Sequence, residues 1–149
     1  MAFHSHVLNQ YQQVKVEGGV QAADPHRLVA MLLEGAKEKI HGAKLRILHN
    51  HGVKDVQEKG ALIGGSIAIV DALRASLDME KGGEIAANLE QLYDYMTRRL
   101  LEANLRNDVS ALDEVAGLLG SIEEAWNAIA PNAPAPAPVD RPTAVSLGA

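Results

Sequence analysis

With 149 residues, the chain is long enough to bury a sizeable core as one domain without a disulfide or metal staple. A net charge of -5 leaves no broad basic field for nucleic-acid backbones, and the absence of cysteine excludes disulfide frameworks, thiolate metal centres and cysteine nucleophiles. The composition is 47% apolar but only 3% aromatic, which suits helices packed through aliphatic side chains.

From the N-terminus, Met1 to Gln10 contains histidines but no Lys or Arg, and no apolar run of signal-peptide length. No stretch approaches the ~18 apolar residues of a membrane span. A cytoplasmic protein with no membrane insertion is expected. Val7, Tyr11 and Val14 follow helical spacing before Gly18-Gly19. Such a short helix is marginal in water by itself, so residues 1–23 are expected to be a mobile segment that docks on the main body or lifts away.

Asp24-Pro25 is the clearest helix start, with a capping carboxylate followed by a proline suited to the first helical position. Leu28, Leu32, Gly35, Ala36, Ile40, Ala43 and Ile47 then recur at spacings of three and four, and Asn50 and Gly52 permit a left-handed end near His49. The second helix is expected over about Lys54 to Met79. Its Val56, Leu62, Ile63, Ile67, Ile69, Val70, Leu73 and Leu77 span an arc of roughly 160°, wider than the stripe of an ordinary surface helix. Such a helix is central in its bundle or lends part of its face to a partner. Gly60, Gly64 and Gly65 lie inside it, each costing about 1 kcal/mol relative to Ala. They are tolerated strain or places where another helix approaches closely.

Lys81-Gly82-Gly83 breaks the pattern, and the third helix is expected from about Glu84 to Arg106, with Ile85, Leu89, Leu92, Tyr93, Met96, Leu100 and Ala103 as its stripe. Asn107-Asp108 supplies the next cap. Leu112, Val115, Leu119, Ile122, Trp126 and Ile129 form the narrow seam of a fourth helix. Long helices joined by short connections return antiparallel to their neighbours. The expected fold is therefore all-α, an up-down four-helix bundle over 24–130, preceded by a short N-terminal capping helix. Five of the six prolines crowd into the Pro-Ala tail, 131–149, which is expected to be disordered.

Catalytic chemistry finds little support. Glu38 and His41 have the Glu-x-x-His spacing of a di-metal carboxylate bundle, but that architecture needs the motif twice and no second copy occurs. The i, i+2 pairs His4/His6 and His49/His51 could take an adventitious divalent ion, although solvated loop histidines are the simpler reading. No nucleophile elbow or phosphate-binding glycine loop is present. No enzyme, cofactor or small-molecule substrate is expected. Tyr93 falls on the buried stripe, whereas Tyr95, about 200° around the helix, shares a polar face with Asn88, Gln91, Arg98 and Glu102. A ring placed there is a contact candidate.

The order of several motifs resembles the flagellin export chaperone family: Tyr11-Gln12, then Asp24-Pro25-His26-Arg27-Leu28-Val29-Ala30-Met31-Leu32, then Gly82-Gly83-Glu84-Ile85-Ala86-Ala87-Asn88-Leu89, then Leu92-Tyr93-Asp94-Tyr95-Met96 and the closing Trp126. The resemblance covers about residues 8 to 130. It implies a cytoplasmic bundle that binds the C-terminal segment of flagellin, prevents premature polymerisation, brings the subunit to the flagellar export apparatus and supports filament assembly. It further implies an N-terminal segment, here Val7, Leu8 and Tyr11, that occupies part of the client groove when no client is bound. Ile63, Ile67, Val70, Asn88, Leu89, Tyr95 and Met96 are the expected partner-binding residues of the bundle. A self-associating helical bundle, its extra apolar arc covered by a second copy, is the alternative.

Overall fold

In the computed structural model the described residues are 24–129. The expected N-terminal helix and the Pro-Ala tail lie outside them. The described residues form four helices and no strand: α1 (Pro25–His49), α2 (Val53–Ala75), α3 (Met79–Arg106) and α4 (Val109–Ala128).

The helix ends follow local chemistry. Asp24 accepts a hydrogen bond from the Arg27 amide, with Pro25 in the first helical position. Asn50 and Asn107 close α1 and α3 in left-handed conformations, and Asp108 caps α4 by accepting from the Ala111 amide. The α2–α3 junction corrects the expectation from sequence. Met79 belongs to α3, because Asp78 accepts from the amides of Glu80 and Lys81 and starts the helix there. The glycine break appears instead as a kink inside α3, where Gly83 has φ 54° and ψ -129°, a conformation unfavourable for any residue with a side chain. Gly82 is equally constrained, since a Cβ there would meet the Ala86 Cβ at 2.6 Å.

Side-chain pairs fix the directions of the helices. His26 meets Trp126, Lys37 meets Glu123 and Lys44 meets Asp113, so α1 and α4 run antiparallel. Arg74 with Glu90, Asp71 with Thr97, and Lys59 with Asn104 and Asn107 do the same for α2 and α3. Arg46 reaches Asp55 and Glu58 across the first loop, and Tyr95 and Arg99 reach Glu114 across the last pair. The result is an up-down-up-down bundle.

Its interior holds Leu32, Leu33, Ala36, Ile40 and Ala43 of α1, Ile63, Ile69, Val70 and Leu73 of α2, Tyr93, Met96, Leu100 and Ala103 of α3, and Leu112, Val115 and Leu119 of α4. Most of the wide arc on α2 is thus consumed by a central position in the bundle. Val56, expected on that arc, is instead 56% exposed. Gly42 and Gly65 let α1 and α2 approach closely: a Cβ on either would lie 3.1 or 3.0 Å from Leu62 or Lys39 respectively. Lys59 is buried, and its ammonium donates to the Asn104 carbonyl at 2.9 Å and Asn107 Oδ1 at 2.7 Å. This satisfies a C-terminal carbonyl of α3 with a cation where the helix dipole is negative.

Candidate functional site

The flank between α2 and α3 is built differently from the other seams. On α2, Gly60, Gly64, Ile67 and Asp71 recur at helical spacing, and Asp71 accepts from Thr97 of α3, so this row faces α3. On α3, Asp94, Thr97, Leu101 and Leu105 form the matching row, since Asp94 and Thr97 are the residues that reach Arg74 and Asp71 of α2. The Lys59 contacts to Asn104 and Asn107 place Gly60 level with Leu105.

Along that flank the helices leave apolar groups uncovered. Leu101 is 55% exposed and Leu105 81%, with Val53 and Val56 also exposed towards the start of α2. Beside them, a Cβ added at Gly60 or Gly64 would meet nothing within 4 Å. The glycines are therefore not required by a neighbouring helix of this bundle. They leave a shallow floor bordered by leucines. Ion pairs cross the far end of the same flank, from Arg74 to Glu90 and from Arg74 to Asp94 at 3.3 Å, and within α3 Asp94 also pairs with Arg98 at 3.2 Å. Hydrogen bonding to Glu90 raises the pKa of Arg74 above its ordinary value, keeping the cation charged. At the same end a depression of about 550 Å³ is lined by Asp71, Arg74, Ala75, Leu77, Met79 and Glu90. The flank thus offers an apolar strip at one end and a charged crossing at the other, a pattern suited to one face of an amphipathic helix.

The residues expected from sequence to form a docking surface do not lie on one face. Ile63, Val70 and Met96 are core residues with exposures of 1%, 0% and 0%, which corrects the expectation that they are available to a partner. Helical periodicity marks them as apolar, and the packing of the bundle core covers them. Leu89 is partly buried against the core, and Asn88 is exposed on the side of α3 turned towards α4. Tyr95 lies on that same side, where its hydroxyl donates to Glu114 Oε2 at 2.7 Å and its ring lies 5.9 Å from the Arg98 guanidinium carbon. Its polar handle ties α3 to α4. The hydrogen bond to Glu114 raises the Tyr95 pKa, and in turn the Tyr95 hydroxyl, followed by Arg99, holds the Glu114 carboxyl below the usual carboxylate range. Tyr93 is buried as expected, and burial pushes its phenol up to about 12. Only Ile67 lies on the α2–α3 flank, half-buried. Val7, Leu8 and Tyr11 fall outside the described residues. Sequence reading missed Leu101 and Leu105, which sit off the core stripe; their signal was two leucines one turn apart on a face otherwise occupied by Asp94 and Arg98.

Glu38 and His41 are both exposed on α1, away from the core. No described helix is long and apolar enough to cross a membrane.

A sequence model of the family described as "Flagellar protein FliS" matches residues 7–133. The chain belongs to the FliS family. It is 50% identical over 127 residues to the flagellar secretion chaperone FliS of Salmonella typhimurium (strain LT2), covering 85% of this chain and 91% of that protein. Against the flagellar secretion chaperone FliSB of Pseudomonas aeruginosa the identity is 45% over 122 residues, covering 82% of this chain and 94% of the relative. The FliS of Bacillus subtilis is 32% identical over 116 residues, covering 78% of this chain and 80% of that protein. The FliS match spans all four helices, including both rows of the α2–α3 flank.

Proposed function

We propose that this member of the FliS family is a cytoplasmic, non-enzymatic export chaperone that binds the C-terminal segment of flagellin, prevents its premature polymerisation and hands it to the flagellar export apparatus, so supporting filament assembly. One observation carries the choice of docking surface: Leu101 and Leu105 are exposed alongside an open floor at Gly60 and Gly64. A client helix seated there would cover leucine side chains that the bundle leaves in water, at roughly 25 cal/mol per Å² of apolar surface removed. The absent glycine side chains would let its backbone approach α2. Ile67 extends the strip, and Arg74, Asp94 and Arg98 supply charges that select orientation.

Val7, Leu8 and Tyr11 enter the proposal as a segment that competes for this strip when no client is present. Deleting residues 1–11 is expected to tighten client binding, because the competitor's contribution is removed.

The test is titration of the full chain with a flagellin C-terminal fragment, followed by calorimetry. L101D together with L105D is expected to weaken binding about ten-fold or more, with helicity by circular dichroism unchanged because both positions are exposed. Unchanged affinity would overturn the docking surface; absence of any binding by the unaltered chain would overturn the function. The same experiments in a sedimentation cell separate the alternative, because a second copy covering the strip gives a client-free dimer that L101D with L105D dissociates.

A further inference from the structure

The loop between α1 and α2 gathers donors that the docking surface does not use. His49 closes α1, Asn50 reverses the chain with φ 49° and ψ 55°, and Gly52 carries φ 110° before α2 begins. This reversal stacks the rings of His49 and His51, with centroids 4.3 Å apart and planes 16° apart. It also brings the His51 amide to Asp55 Oδ2 at 2.7 Å, with His49 Nδ1 4.0 Å from that same oxygen. One donor atom from each of the three side chains lies within 4.8 Å of the other two. Both histidines are exposed, whereas Asp55 is buried.

We propose that His49, His51 and Asp55 form a binding site for a divalent transition-metal ion of the Zn²⁺ or Ni²⁺ class. Two imidazoles and one carboxylate are the donor set of borderline cations, whereas Mg²⁺ and Ca²⁺ require oxygen ligands throughout. Metal–donor bonds of about 2.0–2.2 Å place tetrahedral donors roughly 3.4 Å apart. The present spacing is wider, up to 4.8 Å, so binding requires the two exposed rings to turn towards Asp55. The Asp55 carboxylate is already held in place, by the His51 amide at one oxygen and the Arg46 guanidinium at the other.

Arg46 is the competing cation. Its Nη1 lies 3.5 Å from Asp55 Oδ1, while its Nε lies 3.1 Å from Glu58 Oε1, so it keeps a carboxylate partner when a metal draws on Asp55. Three protein ligands leave a coordination position open to water or to a donor from another chain. A bound ion would clamp the end of α1 to the first turn of α2.

The experiment uses the full chain carrying H4A and H6A, so that the N-terminal histidine pair contributes no binding. Zn²⁺ and Ni²⁺ chlorides are titrated calorimetrically. One equivalent is expected, with H49A, H51A and D55N each weakening binding about ten-fold or more, and R46A tightening it several-fold by removing the competing charge. In NMR spectra the ring resonances of His49 and His51 are expected to shift on metal addition while those of His41, exposed elsewhere on α1, stay in place. Should D55N fail to fold, R46A and the ring resonances still decide. Absence of binding, or binding that R46A leaves unchanged and that H49A or D55N does not weaken, would overturn the proposal and leave an adventitious ion on surface histidines only.

Discussion

The α1–α4 seam and the α2–α3 flank join helices of the same bundle, yet polar contacts tie one along its length while the other leaves a row of leucines in water. Along α1–α4 the contacts run the full length: Lys44 to Asp113 at 2.9 Å near one end, Lys37 to Glu123 in the middle, and at the other end a reciprocal clasp. There the His26 ring stacks on Trp126 at 4.5 Å and donates to its carbonyl, while the Trp126 indole donates to the His26 carbonyl at 2.9 Å. Along α2–α3, Lys59, Asp71 and Arg74 anchor the pair, and the stretch beside Gly60 and Gly64 keeps leucines in water. Polar pairs within the chain tie α1 to α4 and leave beside them a depression of about 500 Å³ lined by Met31, Glu34, Glu38 and Glu123 among others, in which acidic groups rather than leucines predominate. Uncovered apolar surface gives α2–α3 a reason to seek a partner.

Stability and binding should therefore separate between the two regions. The largest expected effect is in the core beneath the α1–α4 seam: L33A removes a wholly buried leucine and should cost about 2–5 kcal/mol in urea unfolding, with client affinity of the folded protein unchanged. L105A should cost little stability, because the side chain is already exposed, while weakening client binding. Equal loss of stability in the two variants would break the distinction.

The glycines sharpen it. G83A forces a side chain into a positive-φ conformation and should destabilise by on the order of 1–3 kcal/mol in the same unfolding experiment. W126F removes the indole donor of the clasp and should cost about 1 kcal/mol. G60A and G64A should instead each stabilise by about 0.5–1 kcal/mol, since the new methyl meets nothing and helix propensity improves. Destabilisation by G64A would mean that the floor is already covered.

The smallest effect concerns pH. In the folded protein the Glu114 carboxyl is held low by Tyr95 and then by Arg99. A depressed folded pKa contributes stability above the unfolded value of about 4.3 and loses it as pH falls through the folded value. E114Q should therefore show a shallower decline of urea midpoint than the unaltered chain between about pH 5 and 3.

The helix framework was legible because its signals are local. Asp24 with Pro25, Asn50, Asn107 and Asp108 all act as caps where short-range chemistry predicts them. Gly82-Gly83 misled because a glycine pair reads as a terminus, while Asp78, four residues earlier, had already started the helix that the pair merely kinks. The docking surface was less legible. Periodicity shows which residues are apolar, not which of them another helix covers, so Ile63, Val70 and Met96, expected from sequence to bind a partner, are core. Leu101 and Leu105 carried no weight as a pair off the stripe until the partners of Thr97 and Asp94 showed which flank they occupy. Asp55 joined the histidine pair only through the loop reversal at Asn50 and Gly52.

The most direct measurement places a photocrosslinking residue at position 105, on the open flank, or at position 41, on the outer face of α1, in the presence of a flagellin C-terminal fragment. A covalent adduct from position 105 and none from position 41 is the expected result. Crosslinking from position 41 with none from position 105 would show that the client is held elsewhere and that the exposed leucines have another purpose.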